Sequence, residues 1–187
     1  MKFEISDETA HQAKIPHEIL LTNLIGNHIL WFVAALGLAG SYWQPLALVP
    51  VFSFSTLAYI LWRARRSKQQ DDWYVMCHWQ ICAARSRLFI YMLLLGVTVV
   101  VLGWVGYTYF GMMKVAVYAI SGGVGLLPIM VTVLILILME SDALHQASLH
   151  KLPKSTLDRY PVPEGVVVLE DDKDSTSMEQ TTSPVSN

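Results

Sequence analysis

Few side chains in this sequence are suited to chemistry, and they fall into small groups. Thr22, Asn23, Asn27 and His28 form the first. Asn23 and Asn27 are four residues apart, so on a helix they share a face. Polar groups of this kind inside a membrane are costly and point to an ion or proton path, or to interhelical hydrogen bonds. The second group is Cys77-His-Trp-Gln-Ile-Cys82. His78 and Cys82 share a helical face, and His145 or His150 on the extension of a later helix could approach them to make a thiolate–imidazole metal site. With no CxxC and no HxxxH, the pattern assigns no metal. The third group is Ser121, Gly125 and Pro128 in SGGVGLLP. This stretch lacks the GK[ST] ending of a phosphate loop. Its small residues suit close helix packing, and the proline suits a bend. Ala35 with Ala39, and Gly96 with Gly103 and Gly106, offer similar close approach.

No catalytic residue is assigned, because GxSxG, HExxH and DxD-type clusters are all absent. No cofactor is assigned either. A haem in a helix bundle needs facing histidines in the core. Of the six histidines, His28 alone falls in an apolar run; His11, His17, His78, His145 and His150 fall outside.

The elements that must position these groups are set by where charge is missing. No Asp, Glu, Lys or Arg occurs between Glu18 and Arg63, between Arg87 and Lys114, or between Lys114 and Glu140. A helix in water needs a polar face, so these runs imply lipid as their solvent. A span needs about 20 apolar residues. The first run holds two spans with a turn at SYWQP, where Pro45 ends the preceding helix; the others hold one each. Val- and Thr-rich GVTVVVLGWVGY reads as helix, since a lone strand in lipid leaves its backbone unpaired.

The expected fold is therefore all-α and polytopic, with four transmembrane helices at about 19–41, 45–63, 88–110 and 115–139, arranged as two antiparallel hairpins. Residues 1–18 form a polar leader, with ordered helix starting near Pro16, and 64–87 a loop. The four-helix domain covers 19–160, and an acidic, disordered tail covers 161–187. Asp71 or Asp72 suits the N-cap of a helix from Trp73. A helix over 73–110 would be about 57 Å long, against a hydrocarbon core of about 30 Å. The last helix has no breaker before Pro153. Glu140 and Asp142 at its end are placed to pair with Arg63, Arg85 or Arg87.

Arg63, Arg65, Arg66, Lys68, Arg85 and Arg87 are almost half of the thirteen basic residues. The positive-inside rule puts their loop, and hence both termini, in the cytoplasm. Two cysteines are too few for a disulfide framework. A net charge of −2 leaves nucleic acid without an electrostatic footprint. The expected partners are the lipid bilayer and other membrane subunits, and the expected location is a bacterial inner membrane. Two functional classes follow: a non-enzymatic subunit or assembly factor of a larger membrane complex, or a small oligomeric transporter or channel. The second would use the Asn23–Asn27–His28 face and the helix bent at Pro128.

Overall fold

The charge-free runs become helices in the computed structural model, which describes residues 1–38, 40–42 and 44–169. The chain is mostly helical. Among the described residues, four helices are long and apolar enough to cross a membrane: α1 (Asp7–Leu38), α2 (Gln44–Gln70), α3 (Trp73–Phe110) and α4 (Lys114–Ser148). Two-residue strands, β1 (Lys2–Phe3) and β2 (Val168–Leu169), pair antiparallel, and a short α5 (Lys154–Leu157) follows α4.

Three boundaries differ from those expected. The leader is not separate from the first helix. Ser6 caps α1 by accepting from the Thr9 amide at 3.2 Å, Asp7 and Glu8 fill the first turn, and Pro16 lies buried inside the helix. A cap and an acidic first turn outweigh one internal proline. The 64–87 segment is helical apart from a break at Asp71–Asp72. Arg63 donates to Asp71 at 2.8 Å and sits over the Trp79 ring, which holds α2 against α3 across that break. The helix from Trp73, with Asp72 at its N-cap position, runs unbroken to Phe110. Finally, residues 161–169 return to the N-terminus, where Lys2 and Phe3 pair with Leu169 and Val168. The expectation for the tail beyond 169 lies outside the described residues, as does Ala39 of the Ala35–Ala39 pair.

Contacts between α1 and α2 pair rising numbers with falling ones. Asn23 donates to Ser53 Oγ at 3.4 Å, Asn27 to the Val49 carbonyl at 2.8 Å, and Trp31 to the Pro45 carbonyl at 3.0 Å. Between α3 and α4, glycines bring the backbones close within the uncharged runs. A Cβ added to Gly96 would meet the Gly125 carbonyl at 3.3 Å and collide with Ile129. One added to Gly103 would meet Val117 at 3.2 Å and Ser121 at 3.4 Å. Small residues admit close backbone approach where lipid supplies no hydrophobic drive to associate. Gly96→Leu is therefore expected to lower stability in detergent by about 1–3 kcal/mol through overpacking. Gly122→Leu, with open space around its Cα, is expected to change it little. Thermal unfolding of the two variants checks this, and equal effects would refute the close-packing account.

α3 stops at Gly111, whose φ of 64° is left-handed and free of Cβ strain. Both α1 and α4 contain a stretch of wide, π-type turns, Thr22–Trp31 and Ser121–Leu126. Asn23, Asn27 and His28 all lie on the first. Ser121 and Gly125 lie on the second, and Pro128 follows it directly.

Candidate functional site

At the charged end of the helices, beyond the uncharged runs, α1, α3 and α4 converge on a buried polar cluster. Packing on α1 explains how His17 enters it. Ala10, Ala13, His17, Leu20 and Leu24 are all buried and recur at three- and four-residue spacing, the stripe of an amphipathic helix. His17 is the polar member of that stripe. On α3, His78 and Cys82 are one turn apart and buried, and Arg85 follows. On α4, Glu140 is the first charged residue after the uncharged run and is fully buried.

Arg85, Glu140, His17 and His78 form one hydrogen-bonded chain, with Cys82 beside it. Arg85 Nη1 donates to Glu140 Oε1 at 3.1 Å and to the Met139 carbonyl at 2.9 Å. Glu140 Oε2 lies 2.5 Å from His17 Nδ1. His17 Nε2 lies 3.0 Å from His78 Nδ1. Cys82 Sγ donates to the Pro16 carbonyl at 3.2 Å. The Tyr74 ring lies against His78 with centroids 4.8 Å apart. A buried carboxylate without a partner would be far too costly; Glu140 has a guanidinium on one oxygen and an imidazole on the other. His78 Nε2 has no hydrogen-bond partner among the described residues; the Ser86 hydroxyl stands by the Cys82 thiol and favours its thiolate.

Burial sets the protonation of this cluster. It pushes the His78 imidazole down to about 3, and the neighbouring His17 and Arg85 charges act the same way. It pushes the Cys77 thiol up to about 12 and raises the Cys82 thiol as well. Without a further cation, both thiols and His78 are neutral at neutral pH.

Of the residues singled out in the sequence, His78 and Cys82 belong to the cluster and His145 does not. His145 is exposed on α4; the residues that stand beside Cys82 are His17 and Glu140. The pairing of Glu140 with a basic residue on α3 is present, through Arg85. His17 was legible only through the Ala10–Ala13–His17–Leu20–Leu24 spacing, which begins before the uncharged run does.

Asn23, Asn27 and His28 form a second, separate polar group within the first uncharged run. Asn23 and Asn27 bond across to α2 as described, and Asn27 also donates to Asn23 at 3.3 Å. His28 Nδ1 lies 3.2 Å from the Asn23 carbonyl, and its ring meets Phe89 edge-on at 4.8 Å. Beside this group a groove of about 690 Å³ opens between α1 and α2, walled by Glu18, Thr22, Gly26, Asn27, Trp31 and Thr56 among others. Thr22 is exposed in it, and a side chain added at Gly26 would meet nothing within 4 Å. Ser121, Gly125 and Pro128 are remote from both groups in function: Ser121 and Gly125 serve the α3–α4 contact.

No family model matches the chain, and comparison with curated proteins and with solved structures finds no match. Fold and sequence define a class: a mostly helical chain with the hallmarks of a multi-pass membrane protein.

Proposed function

We propose that this chain is a non-enzymatic subunit or accessory factor of a larger membrane complex, and that the α1–α2 groove receives a transmembrane helix of another subunit. The groove carries the reading. It begins at Glu18 and reaches Trp31, about 20 Å along the helix axis at 1.5 Å per residue. Its walls are mostly apolar, with Ile19, Trp31 and Phe52 beside an uncovered Gly26 and the hydroxyls of Thr22 and Thr56. A small residue and hydroxyls set in an apolar wall are what membrane helices use to pack on one another. In the proposed topology the four helices form two antiparallel hairpins in a bacterial inner membrane. The arginine-rich α2–α3 junction and both termini face the cytoplasm, supported by the positive-inside bias.

Photocrosslinking in cells tests the proposal. A crosslinker at Thr22 is expected to capture a transmembrane segment of one defined partner, while one at Leu138, 73% exposed on α4, captures none. Gly26→Trp fills the groove and is expected to reduce recovery of that partner at least tenfold with an unchanged melting temperature. Undiminished recovery, or a chain that is monomeric and partnerless in mild detergent, would overturn the reading.

The alternative, an oligomeric transporter or channel, draws support from the wide turns in α1 and α4, since such turns accompany functional sites. It predicts solute flux in proteoliposomes that Asn27→Ala and His28→Ala both reduce.

A further inference from the structure

We infer that His17, Cys82 and Glu140 form a binding site for one divalent transition-metal ion of the zinc class, which clamps α1, α3 and α4 together beneath the membrane spans. This goes beyond the docking role and is independent of it.

The three residues come from three helices, and each is fully buried. Among the described residues they are the His/Cys/Asp/Glu group whose ligand atoms all lie within 4.8 Å of one another. Tetrahedral coordination with bonds of about 2.0–2.3 Å requires ligand atoms about 3.3–3.8 Å apart. The set therefore closes on an ion with side-chain movement of about 1 Å. One thiolate, one imidazole and one carboxylate suit zinc, cobalt or ferrous iron; magnesium and calcium prefer all-oxygen sites.

The surroundings are those of a metal site, because each ligand has a partner that orients it. Arg85 holds Glu140 by Oε1 at 3.1 Å and leaves Oε2 facing His17. His78 Nδ1 stands 3.0 Å from His17 Nε2. His17 Nδ1 faces Glu140 Oε2 at 2.5 Å, so a single cation, a proton or a metal ion, can lie against both. The Cys82 thiol donates to the Pro16 carbonyl at 3.2 Å, a bond given up when the metal replaces its proton. Ser86, one turn further along α3, is placed to donate its hydroxyl to the resulting thiolate. A water can take the fourth coordination position. Metal binding replaces the Cys82 thiol proton, which passes to water, and no redox step is involved.

The test uses the full-length chain purified in mild detergent under reducing conditions, from cells supplied with zinc or cobalt(II). One equivalent of metal per chain is expected by elemental analysis. The cobalt form is expected to show a sulfur-to-cobalt charge-transfer band and the intense visible bands of tetrahedral cobalt. Cys82→Ser, a near-isosteric change, should abolish the charge-transfer band and weaken zinc binding at least tenfold, whereas Cys77→Ser should retain both. His78→Phe should weaken binding about 10–100-fold with the band preserved, as expected for an orienting partner. Melting temperatures of the metal-free variants separate loss of the site from loss of the fold. Wild-type protein that takes up no cobalt, or a band that survives in Cys82→Ser, would overturn the assignment.

Discussion

Arg85→Met is expected to destabilise the metal-free chain by about 3–5 kcal/mol, the cost of breaking a buried ion pair from one side. Glu140 is fully buried and Arg85 only 15% exposed. Without the guanidinium, Glu140 keeps a single partner, His17, and the Met139 carbonyl loses the donor that Arg85 supplied. The buried carboxylate then has one oxygen without its charged partner, and leaving it so costs stability. The informative comparison is the double variant Arg85→Met/Glu140→Leu. Removing both charges takes away the uncompensated group, so most of the lost stability should return. Thermal and denaturant unfolding in one detergent, with metal chelated throughout, measures all three proteins. A single variant that melts like the wild type, or a double variant no better than the single, would show that the pair does not hold α3 to α4.

Tyr74→Ala should have an effect of similar size, about 3–5 kcal/mol, the range for removing a large buried aromatic ring. Tyr74 is 1% exposed and lies in the part of α3 that precedes the uncharged run. Phe3 and His78 pack against its ring. Its hydroxyl donates to the Lys151 carbonyl at 3.3 Å, with the Ala147 carbonyl at 3.5 Å. The Ala147 carbonyl, in the last turn of α4, also accepts from the His150 amide at 3.3 Å. Tyr74→Phe removes the tyrosine hydroxyl's bond alone and is expected to cost about 1 kcal/mol. The position matters for the magnitude. Outside the spans, unfolding exposes the ring to water and the full transfer term applies. Phe89, equally buried but just inside the uncharged run of α3, loses packing without a comparable gain from water. Phe89→Ala is therefore expected to cost less than Tyr74→Ala. The reverse order would mean that Phe89 lies in water and that the spans begin further along the chain.

Both expectations rest on the ends of the helices outside the spans, and there sequence and structure part company. Absence of charge is a local property. A run from Leu88 to Met113 without one must be solvated by lipid or hidden, so the four apolar helices could be read directly from composition. So could the start of α3 at Trp73 and its stop at Gly111, because caps and left-handed glycines act within one turn. The pairing of Glu140 with an arginine was legible too, since both flank spans that meet through a short turn.

Which further groups meet is a different kind of fact. In the sequence His17 reads as part of a polar leader because Lys14 and Glu18 flank it, yet the rotation of α1 buries it and exposes Glu18. That rotation is decided by Ala10, Ala13, Leu20 and Leu24 packing against α3 and α4, which is a property of three helices together. His145 shares α4 with Glu140 and has equally suitable chemistry, but it lies five residues further on, turned outward. The return of residues 161–169 to β1 likewise needs both ends of the chain in place before either strand has a partner. Solvent preference is written residue by residue and needs only the chain itself. The rotation of each helix about its axis is chosen by its neighbours, so the Cys82–His17–Glu140 convergence exists only once α1, α3 and α4 have packed.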